Sequence, residues 1–110
     1  MSDPVLADDL RWTPVGAAAD WKEDDGRPVQ IGARRLGVYL HQGVFFALKD
    51  VCPHAGVALS QGPIVNGTVM CVGHGWTFDL KSGAVARGPM GCKVATYPVR
   101  VVDGIVQVGV

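Results

Sequence analysis

Apolar residues in this chain come in short bursts, not in helical stripes. β-branched or aromatic runs cover Pro28–Ile31, Arg35–His41, Val44–Lys49, Thr68–Val72, Thr77–Leu80, Ala95–Val102 and Ile105–Val110. Among them fall the turn signals Asp25-Gly26, Gln42-Gly43, Asn66-Gly67, Ser82-Gly83 and Asp103-Gly104. Such dipeptides tolerate positive φ and join antiparallel strands. Short strands, frequent turns and 15 glycines predict an all-β domain. Asp103-Gly104 should close the last two runs into a hairpin, and Gln42-Gly43 an earlier pair. Phe45 and Phe46 are neighbours in one run, so they point to opposite faces of a strand and at least one should enter the core. Ala17–Lys22 is the one helical candidate, long enough for a single turn. Trp12, Trp21 and Tyr97 read as packing residues, and His41 as structural or exposed.

Composition narrows the class. A chain of 110 residues is one domain, and 48% hydrophobic content is too high for disorder. No apolar run approaches the roughly 20 residues needed to cross a bilayer. The start, Met1-Ser2-Asp3-Pro4, has neither the basic nor the apolar part of an export signal. A cytoplasmic protein away from the membrane is the expectation. Charges sum to zero but are unevenly spread. Asp3, Asp8, Asp9, Asp20, Glu23, Asp24 and Asp25 crowd the first 25 residues, against Arg11 and Lys22. Beyond them, eight Lys or Arg face Asp50, Asp79 and Asp103. This describes either a solvated surface with an acidic leading stretch or a basic face for an acidic partner. Scattered positive charge without a recognition helix argues against nucleic acid.

The chemistry sits in two short runs, Cys52-Pro53-His54 and Cys71-Val72-Gly73-His74. Two thiolates and two imidazoles complete the ligand set of one metal centre. Cys-x-His followed by Cys-x-x-His differs from the paired spacing of zinc fingers, though a structural zinc site in a non-redox interaction module stays open. It is the arrangement in which two His replace two Cys on one iron of a 2Fe–2S cluster. Cys92 is left over, and an odd, sparse count argues against a disulfide scaffold. Cys92 reads as a small apolar residue. Asp79, just after the second run, reads as a turn cap. No catalytic Ser/His/Asp set or carboxylate pair stands out, and no dinucleotide-binding motif is present.

Flanking residues extend the pattern: Pro53, Ala55-Gly56, Leu59-Ser60, Gly62, Asn66-Gly67, Gly75-Trp76, Phe78-Asp79, Ser82-Gly83, Pro89 and Tyr97-Pro98-Val99. From about Trp12 to Val110 the chain resembles the Rieske ferredoxin family, small proteins and subunits that carry single electrons. The resemblance implies a Rieske fold: an antiparallel, sandwich- or barrel-like base from about residues 10–50 and 91–110, with a cluster-binding lobe from about 51–90 inserted in it. It implies one 2Fe–2S cluster bound by Cys52, His54, Cys71 and His74, the thiolates on one iron and the imidazoles on the other. Gly88-Pro89 is similar to the loop that covers the cluster, Trp76 would shield it, and Gly56 and Gly75 would let backbone approach sulfide.

Charge counting explains the mixed ligands. Two ferric ions, two sulfides and two thiolates sum to zero, so an added electron meets less repulsion than at an all-cysteine cluster; potentials run from roughly −150 to +300 mV, against about −400 mV. Respiratory members add a disulfide and two hydroxyls near the cluster. Val57 and Gly73 stand at the disulfide positions here, and Trp76 and Phe78 at the hydroxyl positions, which implies the low end of that window. The protein partner implied is a redox protein. The stretch Gly91–Arg100 and the run Cys52–Gly56 look most similar to the small subunit of assimilatory NAD(P)H nitrite reductase, whose large subunit carries siroheme and flavin. The alternative is the ferredoxin component of a ring-hydroxylating dioxygenase, served by a flavin reductase and an oxygenase.

Overall fold

The computed structural model describes residues 11–53, 56–73 and 75–110. Eleven strands are present among them: β1 (Trp12–Ala17), β2 (Asp25–Ile31), β3 (Arg34–His41), β4 (Val44–Lys49), β5 (Ile64–Val65), β6 (Thr68–Met70), β7 (Thr77–Asp79), β8 (Val85–Arg87), β9 (Thr96–Tyr97), β10 (Val99–Val102) and β11 (Ile105–Gly109). All pair antiparallel, in three sheets of order β1-β11-β10, β2-β3-β4-β9 and β5-β6-β7-β8. The all-β expectation and the two hairpins hold. Gln42-Gly43, Asn66-Gly67 and Asp103-Gly104 each form a two-residue loop with φ between 51° and 77° at both positions. That geometry matches the twist of the strands it joins.

The β3–β4 pair carries side chains into two cores. Leu36, Val38 and Ala47 pack with Trp21, Val106 and Val108 toward the sheet containing β11. Tyr39 and Leu48 pack with Val69, Phe78 and Leu80 toward the sheet of β5–β8. Phe45 joins the first core and Phe46 the second, so both neighbours pack, one on each face. Burial on both faces is why these two runs are almost continuously apolar.

Several expected boundaries move. The single run expected over Ala95–Val102 is two strands in two sheets, divided at Pro98. Proline has no N–H to give a ladder, and its free carbonyl instead accepts from Gly109 N at 2.9 Å. β1 was not expected because Pro14 and Gly16 blur its pattern; it lies at a sheet edge, where a register shift between them is tolerated. Asp25-Gly26 is not a turn but the start of β2; the bend falls at Asp24, with φ 60°. Gly26 is small for another reason: it pairs with Tyr39, whose ring lies where a side chain would go. The helical candidate shrinks to one 3-10 turn, Ala18–Asp20.

Tyr39 is fully buried, and its hydroxyl has no hydrogen-bond partner among the described residues. Burial pushes its phenol far above the usual tyrosine range, and the negative charge of Asp50 adds to the shift. The phenol therefore stays neutral in the folded chain where the unfolded chain ionises, near pH 10. Its contribution to stability is complete below about pH 10 and falls as pH rises above it. Urea unfolding between pH 9 and 11.5 is expected to show that decline, and Tyr39→Phe to flatten it by up to about 1.4 kcal/mol per pH unit. Equal slopes in the two proteins would count against this account.

Candidate metal centre

Cys52 follows β4 and Cys71 follows β6, so each cysteine begins a loop at the end of a strand. Both are buried, 0% and 1% exposed, in the core that holds Tyr39, Leu59 and Phe78. Neither forms a disulfide. The two loops are closed in the same way. Cys52 N donates to the Val57 carbonyl at 2.8 Å, and Gly56 N to the Cys52 carbonyl at 2.9 Å. Cys71 N donates to the Trp76 carbonyl at 2.7 Å, and Gly75 N to the Cys71 carbonyl at 2.9 Å. Gly56 and Gly75 have φ of 67° and 77°. That left-handed backbone asks for glycine at both positions. The Gly73 amide donates toward Cys71 Sγ at 3.4 Å.

Two contacts pin the loops to the scaffold. Asp50 is 5% exposed; its carboxylate accepts from Ser60 N at 2.6 Å and from Ser60 Oγ at 2.7 Å, drawing together the ends of the segment that holds Cys52. Gly62 then lies directly against the Met70 carbonyl, where any Cβ would overlap the oxygen. Met70 precedes Cys71, and its N–H donates to the Pro63 carbonyl at 3.0 Å. The end of the first loop is thus held against the start of the second. Sequence pattern did not single out Asp50. The available signal was an acid between Leu48 and Cys52, at the junction of an apolar strand and a ligand run.

Of the four expected ligands, Cys52 and Cys71 come together in one core, while His54 and His74 lie outside the described residues. Val57 and Trp76 pack against that core, and Trp76 also faces Gly88 of the loop before Pro89. Val72 (55% exposed) and Met90 (97% exposed) are apolar and open to solvent on the second cysteine loop and on the loop after Pro89. Asp79 caps its turn as expected, accepting from Ser82 N at 2.9 Å and from Ser82 Oγ at 2.8 Å. His41 pairs with Asp24 at 2.5 Å and Glu23 at 3.5 Å, a structural contact between the bend before β2 and the β3–β4 hairpin. Cys92 is partly exposed and unbridged.

Two buried, unbridged cysteines on matched strand-end loops fit the thiolate half of an iron–sulfur site. The architecture and this pair fit a β-domain that carries a metal cluster. A model of the Rieske [2Fe-2S] domain matches residues 11–98. The anthranilate 1,2-dioxygenase ferredoxin subunit of Burkholderia cepacia is 34% identical over 110 residues, covering 100% of this chain and 99% of that one. A chain from the complex of reduced oxygenase and oxidized ferredoxin in carbazole 1,9a-dioxygenase superposes with a TM-score of 0.84 at 32% identity, covering 89% of this chain and 92% of that one. A chain described as the NADH-dependent nitrite reductase small subunit of Mycobacterium tuberculosis gives the same TM-score of 0.84 at 24% identity, covering 92% and 96%, a likeness of fold. The chain belongs to the Rieske [2Fe-2S] family. It is an electron-transfer ferredoxin of that family, and its cofactor is one Rieske-type 2Fe–2S cluster. No helix among the described residues is long and apolar enough to cross a membrane.

The Asp50 contact is expected to matter for stability. Asp50→Ala leaves the buried Ser60 amide without its acceptor and should cost about 2 kcal/mol in urea unfolding. Asp50→Asn keeps one acceptor oxygen and should cost less. Equal losses for the two variants would refute the hydrogen-bonding role.

Proposed function

We propose that this chain is the ferredoxin component of a ring-hydroxylating oxygenase system, passing single electrons from a flavin reductase to a terminal oxygenase. The observation that carries this reading is the end-to-end match, at 34% identity, to the anthranilate 1,2-dioxygenase ferredoxin subunit. The competing reading, the small subunit of an NAD(P)H nitrite reductase, has the motif resemblance of Gly91–Arg100 and a 24% structural likeness behind it. The run Cys52–Gly56, which also resembles that subunit, holds two of the inferred ligands and reflects cluster chemistry common to both systems; Gly91–Arg100 spans ten residues. Identity over the full length weighs more.

The ligand set we infer is Cys52, His54, Cys71 and His74. When bound, the cluster supplies a centre that accepts and returns one electron. The chain's own part is to hold and shield. The backbone closures at Cys52 and Cys71 fix two sulfurs in a buried pocket. The Gly73 amide supports the negative charge on Cys71 Sγ. Phe78, fully buried beside the cysteines, brings no hydroxyl to that surface, and Trp76 packs over it. The Gly73 bond by itself raises the potential; the missing hydroxyls at Trp76 and Phe78 are what support a value toward the low end of the Rieske range, suited to a carrier filled from a flavin. We further infer that residues of about 51–90 act as the cluster lobe and those of about 10–50 and 91–110 as its base.

Two measurements test this. Anaerobically reconstituted protein is expected to be red-brown and to give a Rieske EPR signal on dithionite reduction, and Cys71→Ser should lose both iron and signal. A colourless, zinc-bound product would overturn the iron–sulfur reading of this site. In the second, the purified protein replaces the native ferredoxin in the reconstituted anthranilate dioxygenase system of Burkholderia cepacia. NADH-dependent substrate oxidation at a tenth or more of the native rate is the expected result. Support of nitrite reduction by a siroheme large subunit, without dioxygenase turnover, would reverse the choice of partner.

A further inference from the structure

Among the described residues, charges of opposite sign gather at the two ends of β3. At one end Arg34 and Arg35 open the strand, and both are exposed. Lys49, at the end of the neighbouring β4, pairs across from Leu36. These three cations line a surface trough with Val51, Ala95 and Tyr97. A second trough shares Lys49, Val51 and Ala95 with the first and adds Lys93 and Pro53. The two therefore run together toward the first cysteine loop. Neither has an acidic residue in its wall. Asp50 lies in a neighbouring hollow, but its carboxylate is buried and accepts from Ser60. Among the described residues none of the four cations forms an ion pair, and Arg34 is steadied over the Tyr97 ring at 6.0 Å.

The opposite end of β3 is acidic. Glu23 and Asp24 gather at His41, the last residue of the strand. Seven steps at about 3.3 Å put the two poles roughly 23 Å apart. Two poles of opposite sign orient a charged partner as it approaches.

We propose that the trough of Arg34, Arg35, Lys49 and Lys93 is a docking surface for an acidic patch on the protein that exchanges electrons with this chain. The proposal rests on the ferredoxin reading and adds the surface and the sign of its partner. The positive pole lies where β4 passes into Cys52, so an acidic surface drawn to it arrives beside the first ligand loop. Charges at such a surface govern encounter rate more than lifetime, and salt screens them over about 8 Å at physiological ionic strength.

The test uses the cluster-loaded protein, reduced with dithionite and freed of excess reductant. Its single electron is transferred in a stopped-flow instrument to hexacyanoferrate(III), an anion that becomes hexacyanoferrate(II), or to hexaammineruthenium(III), a cation that becomes hexaammineruthenium(II). Between 20 and 500 mM NaCl the rate with the anion is expected to fall about tenfold and the rate with the cation to rise. Lys49→Gln with Lys93→Gln should flatten the anion's salt dependence. Lys22→Gln with Arg100→Gln removes the same charge elsewhere and should leave it in place. Equal effects of the two pairs, or no salt dependence in the parent protein, would overturn the proposal. Should the first pair lose its cluster, Arg35→Gln alone, at an exposed site, is expected to flatten the anion's salt dependence in its place, and an unchanged dependence there would overturn the proposal equally. The Rieske EPR signal, recorded on each sample, is read separately; its absence from the parent protein would count against the ferredoxin reading and not against the trough.

Discussion

Gly62 lies against the carbonyl of Met70 with no room for even a methyl group between them. The side of the molecule that holds the two cysteines is tied together at this approach. Two loops far apart in sequence must present buried sulfurs to one place, and loops tend to drift unless their backbones are tied. Here the tie is direct: Gly62 backs onto the residue before Cys71, Met70 N bonds to Pro63, and Asp50 gathers Ser60 beneath Cys52. Within each loop a pair of backbone bonds and a left-handed glycine repeat the same closure. The cysteines are thus positioned by main chain, which leaves side chains such as Val57 and Trp76 free to pack.

That division of labour explains what could be read in advance. Cys-x-His and Cys-x-x-His named the family because ligand chemistry is written in residue identity. The strands at Arg35–His41 and Val44–Lys49 were legible because both of their faces are buried and their runs are therefore almost unbroken. Asn-Gly and Asp-Gly pairs were legible because their turn geometry is local. What escaped notice depends on partners distant in sequence. Gly26 resembles a turn glycine until Tyr39 is seen lying over it. Pro98 sits inside a β-branched run and moves the chain from one sheet to another. Asp50 looks like any surface acid until Ser60, ten residues on, accounts for its burial. β5 and β8 are too short, at two and three residues, to show any period.

Partner choice was legible in a different sense. The runs Cys52–Gly56 and Gly91–Arg100 suggested a nitrite reductase subunit, whereas end-to-end identity favours an oxygenase ferredoxin. Residues beside a cluster answer to the cluster. Arg34 and Lys49 lie on exposed surface, where a pattern of ligands and glycines carries no information.

β11 lies between β1 and β10, which meet only through it. Its pairing with β1 joins residues 12–17 to residues 105–109, nearly the whole span of the described chain. The β5–β8 meander, by contrast, is stitched from neighbours in sequence. Closing the long circuit costs more chain entropy than closing any short one, and contacts of such long range are the ones that slow folding. The costliest closure in chain entropy therefore belongs to the outer sheet, on the far face of the β3–β4 pair from the cysteines. The second sulfur-bearing loop follows a strand of the local meander, so its shape leans on near neighbours in the sequence more than on the meeting of the chain's two ends.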